Sequence, residues 1–78
     1  MPMYFFVWAE TTILHLAENG VTPDEFETVL QNPDSCGFSR STGRPYAVAI
    51  LDDGRELICI YEMLDDITIE PITAYELD

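Results

Sequence analysis

The chain opens on an unbroken apolar run, Tyr4-Phe5-Phe6-Val7-Trp8. Aromatic and β-branched without polar alternation, it has the composition of a strand buried on both faces. From Glu10 to Asn19 the period changes. Ile13, Leu14, Leu16 and Ala17 fall along one side of a helix, Thr12, His15 and Asn19 point away, and Gly20 supplies the left-handed residue that ends it. A second helix is marked at both ends. Thr22 is an N-cap, Pro23 occupies the first helical position and Glu25 closes a capping box, with acids facing the positive end of the helix dipole. Phe26, Val29 and Leu30 form its single apolar stripe, and Asn32-Pro33 stops it, because proline disfavours helix in the residue before it.

The remainder reads as a sheet of one weak and three strong strands. Cys36 to Arg40 is the weak one. Ser41-Thr42-Gly43-Arg44 is a turn, Pro45 to Leu51 a strand, Asp52-Asp53-Gly54-Arg55 a hairpin turn and Glu56 to Glu62 the next strand. In the last strand, Ile67 to Tyr75, the apolar phase flips: Ile67 and Ile69 lie on one face, Ile72 and Ala74 on the other, with Pro71 between. A bulge or an edge position at Pro71 accounts for the flip. The expected fold is a single α+β domain over residues 1–78, ordered β-α-α-β-β-β-β, with both helices on one face of a mainly antiparallel twisted sheet.

Charge changes the picture most. Fifteen Asp and Glu stand against three Arg and no Lys, a net charge of −12 at pH 7. Phosphate contacts supply most non-specific nucleic-acid affinity, so this balance argues against RNA as a partner and favours a basic protein or self-association. A homodimer through an exposed edge at Pro71 to Leu77 is one form of the latter, although an acidic, proline-marked edge is equally a device against pairing. An acidic nucleic-acid mimic occupying a basic surface is a further expectation. Two cysteines without C-x-x-C spacing, no basic leader and no apolar stretch of membrane-spanning length predict a cytoplasmic protein without a membrane partner.

Candidate chemistry is sparse. His15 stands alone on the polar side of its helix and reads as a solvated surface residue. Cys59 reads as a sheet or core residue and Cys36, beside Gly37, as an exposed thiol; neither has a nearby cation in sequence to favour the thiolate. The pairs Asp52-Asp53 and Asp65-Asp66 lie in turns and do not continue into a cation-binding loop, so no metal and no cofactor is expected. Glu10, Glu56, Glu62 and Glu70 are scattered carboxylates without an evident partner. Arg44 precedes the strand from Pro45 and Arg55 follows it, a separation of about 20 to 25 Å at the rise of a β-strand. They cannot grip one phosphate together. Arg40 and Arg44 flank one turn, so an anion- or partner-binding site belongs there; the alternative is that both are surface partners of nearby carboxylates.

Phe6-x-Trp8-x-Glu10, a helix ending in Asn19-Gly20-Val21-Thr22, a second ending in Asn32-Pro33, then Asp53-Gly54-Arg55 and Ile72-Thr73-Ala74 together resemble the BrnT family. The resemblance implies a divergent member of a group of small toxins from type II toxin–antitoxin pairs, with a RelE-like ribonuclease fold, a cognate antitoxin and metal-independent endoribonuclease chemistry. Family members typically carry Lys-His-Gly-Val where this chain has Glu18-Asn19-Gly20-Val21, and Ser-Ala-Arg where it has Thr73-Ala74-Tyr75. Both replacements remove groups that proton transfer and stabilisation of a phosphorane could use. The family's basic C-terminal helix has no counterpart in the residues up to Asp78. A surviving ribonuclease site would be built on Arg40 and Arg44, with Tyr75 or Glu62 as its catalytic group. The first expectation is a non-catalytic relative that binds a protein; the second is a ribonuclease toxin.

Overall fold

A computed structural model describes residues 4–77. Its elements follow the expected order: β1 (Phe5–Phe6), α1 (Glu10–Glu18), α2 (Pro23–Gln31), β2 (Ser35–Phe38), β3 (Pro45–Ile50), β4 (Glu56–Met63) and β5 (Thr68–Glu76). The five strands form one sheet in the order β1-β5-β4-β3-β2, with β1 parallel to β5 and every other pair antiparallel. This is an α+β fold on a mixed sheet.

α2 forms for the reasons its sequence gives. Thr22 Oγ1 accepts from the Glu25 amide at 3.1 Å, and Glu25 Oε1 accepts from the Thr22 amide at 3.0 Å. Two amides that the helix cannot satisfy internally are thereby paired. Phe26, Val29 and Leu30 are buried against the sheet. The turns also hold: Gly43 and Gly54 both adopt positive φ, 74° and 93°, where a Cβ would be strained.

α1 departs from expectation. Of the stripe Ile13, Leu14, Leu16 and Ala17, only Leu16 is buried; Leu14 is 60% exposed. His15 and Asn19, expected to point away, are exposed yet reach the sheet. His15 Nε2 lies 2.9 Å from Thr73 Oγ1, and Asn19 Nδ2 donates to the Ala74 carbonyl at 2.9 Å. Thr12, His15, Leu16 and Asn19 have the i, i+3, i+4, i+7 spacing of one helix face. The reason lies in the sheet. β1 pairs only with Thr68 and Ile69, so beyond Ile69 the outer side of β5 has no strand neighbour. Asn19 takes up a backbone carbonyl left there, that of Ala74, while His15 meets the Thr73 side chain.

The first strand is correspondingly shorter than Tyr4 to Trp8, and it lies at a sheet edge rather than buried on both faces. Phe6 packs inward, with ring centroids 6.4 Å from Phe26, whereas Phe5 is 69% exposed. Trp8 leaves the strand and caps the core, its ring 5.4 Å from Phe26 and its Nε1 donating to Glu27 Oε2 at 2.8 Å. The weak strand is displaced towards the N-terminus, to Ser35–Phe38, because Asp34 already engages β3 through its amide to the Val48 carbonyl and its carboxylate to the Ile50 amide.

β5 lies between β1 and β4 in the sheet, but β1 reaches only Thr68 and Ile69, so from Pro71 onward the outer side of β5 is a local edge, bordered by α1 through Asn19. The bulge explanation holds. Ile60 pairs with Thr73 and Tyr61 with Pro71, leaving Ile72 as an extra residue on β5. Ile69 and Pro71 before the bulge, and Ala74 after it, are all buried on the helix side of the sheet. Ala47, Ala49, Leu57 and Cys59 complete the sheet's share of that core.

Candidate partner-binding surface

Alternation across a sheet means that residues flanking the core positions point the other way. On β3 and β4 these are Tyr46, Val48, Ile50, Ile58 and Ile60, and the register sets Val48 beside Ile58 and Ile58 beside Tyr75. An antiparallel sheet with one covered face normally turns polar residues outward. Here the middle of the bare face is largely apolar, with Thr73, opposite Ile60, its polar exception. Ile50 is 60% and Tyr75 42% exposed, and Phe5, on the same side as its neighbour Thr68, extends the surface onto β1. Tyr46 lies over β2 at Gly37, where an added Cβ would come within 2.8 Å of Tyr46 Oη and displace its ring end.

Carboxylates bound this surface along the strands. Glu56 stands at one end of β4, paired across the ladder with Ile50; Glu62 stands at the other, directly opposite Glu70. Arg44 Nε donates to Glu62 Oε1 at 2.8 Å. With both side chains about two-fifths exposed, such a pair contributes about 0.5 kcal/mol. Glu70 has no ion-pair partner among the described residues.

The expected site residues are therefore only partly assembled. Arg44 and Glu62 meet as an ion pair. Arg40 lies exposed in the adjoining turn, without an ion-pair partner among the described residues. Tyr75 sits beside Ile58, four residues along β4 from Glu62, about 13 Å at the rise of a strand. It does not join the other three.

Arg55 is at the far end of the β3–β4 hairpin and serves the fold. Its guanidinium donates to Asp53 Oδ2 at 2.8 Å, to the Gly20 carbonyl at 3.0 Å and to Glu25. One side chain thus ties the end of α1, the first turn of α2 and the hairpin turn together. The Arg55 amide and guanidinium hold the Asp53 carboxyl below its ordinary range, and hydrogen bonding to Asp53 raises Arg55 in turn. Sequence spacing could not reveal this three-way contact, because Gly20 and Glu25 lie 35 and 30 residues away.

Beside that clamp, a cleft of about 370 Å³ runs between α2 and the hairpin turn, with Asp24, Glu25, Asp52 and Asp53 among its lining residues. Two of those carboxylates are engaged by Arg55. Asp65 likewise has a local role, accepting from the Ile67 and Thr68 amides at 3.0 and 2.8 Å, which lowers its pKa. No group of three or more metal-ligating side chains suited to a metal ion occurs among the described residues. Cys36 is exposed; Cys59 is buried, which pushes its thiol up to about 12. No helix among the described residues is long and apolar enough to cross a membrane. Comparison with protein-family models, with curated proteins and with solved structures finds no match to this chain.

Proposed function

We propose that this chain is a non-catalytic domain that works by binding a basic protein, a degenerate relative of BrnT-type toxins whose partner is an antitoxin or another cationic protein of the cytoplasm. The observation that carries the reading is the disposition of its cations. Arg55 is consumed by the internal clamp and Arg44 is matched by Glu62, which leaves Arg40 as the one arginine without an ion-pair partner among the described residues, in a chain of net charge −12. Such a surface repels a polyanion and attracts a polycation. Catalysis of RNA cleavage needs cations and proton-transfer groups within a few ångströms of one phosphate, and the separation of Tyr75 from the Arg44–Glu62 pair works against it.

The test has two arms. Purified chain incubated with labelled single-stranded RNA should neither bind nor cut it, and induced expression in a bacterial host should leave growth unimpaired. In the second arm, a basic protein recovered with the tagged chain, identified and purified separately, should rebind at fixed stoichiometry with affinity that falls steeply as salt is raised. RNA cleavage or growth arrest that disappears in Arg40→Ala with Arg44→Ala would establish the ribonuclease reading instead.

A further inference from the structure

The bare sheet face is built in a way that folding alone does not require. We infer that it is the docking surface for a cationic amphipathic α-helix, lying along β4 with its apolar stripe on Val48, Ile58, Ile60 and Tyr75. The inference rests on the protein-binding reading above and adds the location and chemistry of the contact.

Three observations converge. The first is apolarity on the uncovered side: the positions facing away from the core across β3, β4 and β5 include Val48, Ile58, Ile60 and Tyr75, with Ile50 and Tyr75 substantially exposed. A contiguous apolar surface bounded by polar residues marks an interaction site. The second is size. β3 and β5 flank β4, so the three strands span about 10 Å, the diameter of one helix with its side chains.

Charge is the third, and it selects the occupant. Glu62 and Glu70 face each other across the β4–β5 ladder, an arrangement of like charges that costs stability. Arg44 answers only Glu62. A cation placed between the strand ends would answer Glu70, and a second would answer Glu56 at the opposite end. Glu56 and Glu62 are six residues apart on one strand, about 20 Å, or about 13 residues of helix. The occupant is thus a helix with two to three apolar turns and Lys or Arg clustered at each end. A second copy of this chain fits poorly, because stacking two such faces would bring two charges of −12 together and oppose Glu56 and Glu70 to carboxylates.

The probe is a synthetic 16-residue peptide with Leu at helical stripe spacing and two basic residues at each end. Its controls are the same composition scrambled to destroy the stripe, and the same stripe with Glu at the ends. The striped cationic peptide should bind at least tenfold more tightly than either control, with backbone amide shifts concentrated at Val48, Ile58, Ile60 and Tyr75. Ile50→Ser with Tyr75→Ser should weaken it about tenfold, and Glu56→Gln with Glu70→Gln severalfold, while both variants retain the native circular dichroism spectrum. Equal affinity for the scrambled peptide, shifts confined to the cleft beside Arg55, or a homodimer in sedimentation that Ile50→Lys dissolves would overturn the assignment. If the peptide fails while the reconstituted basic partner still binds, this surface falls and the broader reading stands. If both fail, both fall.

Discussion

Asn19 reaches 55 residues along the chain to donate from Nδ2 to the carbonyl of Ala74 at 2.9 Å. It meets β5 where that strand has no neighbour, beyond the short pairing with β1. His15, one turn earlier, lies 2.9 Å from Thr73 Oγ1. Together they fasten α1 by polar contacts along a strand margin, with Leu16 as its one fully buried apolar anchor.

The orientation of α1 makes a prediction that separates it from the one hydrophobicity suggests. Asn19→Ala removes the donor to Ala74 and should cost about 1 kcal/mol. Leu14→Ser, on the outward side, should change stability by less than about 0.5 kcal/mol, whereas a buried leucine truncated to a small side chain costs about 2 to 5 kcal/mol. Urea denaturation of the two variants decides the matter, and a large loss at Leu14 would mean that the helix is turned the other way.

That contrast also shows where the sequence is legible. α2 carries its own instructions in Thr22, Pro23 and Glu25, which act through local hydrogen bonds, so its limits and buried face are readable without knowing what it packs on. The hairpin turns are local for the same reason, and so is the phase flip at Pro71. α1 is different: its bonding face is set by the gap beside β5, a consequence of sheet order that no window of neighbouring residues contains. Phe5-Phe6 suffers likewise, since apolar composition does not distinguish a central strand from an edge strand with one face uncovered. Of the candidate site, the Arg44–Glu62 contact depends on β3–β4 register, and the turn positions of Arg44 and Arg55 at opposite ends of one hairpin were readable from spacing. The apolar bare face was present in the alternation of β3 and β4 but became meaningful only when the buried residues of both helices proved to share a core with Ala47, Leu57 and Cys59 on the opposite face.

Asp53 and Asp65 give the fold a defined acid dependence. Each carboxyl is lowered from 3.8, Asp53 by the Arg55 amide and guanidinium and Asp65 chiefly by the Ile67 amide. A depressed folded-state pKa means that the carboxylate form stabilises the fold above pH 4 or so, and the contribution is lost as pH falls through the folded value. Protonation of the many unpaired carboxylates relieves repulsion over the same range, so the informative quantity is a difference between proteins. Subtracting the urea midpoints of Asp53→Asn with Asp65→Asn from those of the wild type should leave a curve that is flat from pH 7 to 5 and falls below about pH 4. A flat difference down to pH 2 would show that neither carboxylate is tied as described. Arg55→Gln should lower the thermal midpoint and diminish the Asp53 part of the same slope.

The two thiols should behave oppositely. Cys36 is on an exposed edge strand, whereas Cys59 is in the core between Ala47 and Ala74, with its thiol pushed up to about 12. Only the thiolate attacks a disulfide reagent. At pH 8 the native protein should therefore react rapidly with one equivalent of Ellman's reagent, and with a second only in denaturant; mass spectrometry should place the native adduct on Cys36. Comparable reaction of both thiols in the folded protein would contradict the placement of β4 within the core.

The bulge on β5 makes the sharpest demand on the topology. Ile72 is the extra residue between the pairs Ile60–Thr73 and Tyr61–Pro71, and because side chains alternate with period two, one extra residue is what lets Ile69, Pro71 and Ala74 all face the helices. Deleting Ile72 should restore simple alternation, keeping Pro71 and Ala74 on the core side without a bulge. The half-buried isoleucine is lost, at a cost of about 1 kcal/mol, but unfolding should remain a single cooperative transition. Deleting Ile58 from the unbulged β4 should do the reverse. With the rest of β4 held in place, either Leu57 or Cys59 must leave the core, both of which are fully buried, and the cooperative transition should disappear. Circular dichroism and urea titration of the two deletions provide the comparison, and loss of folding in the Ile72 deletion alone would place the register correction elsewhere in the sheet.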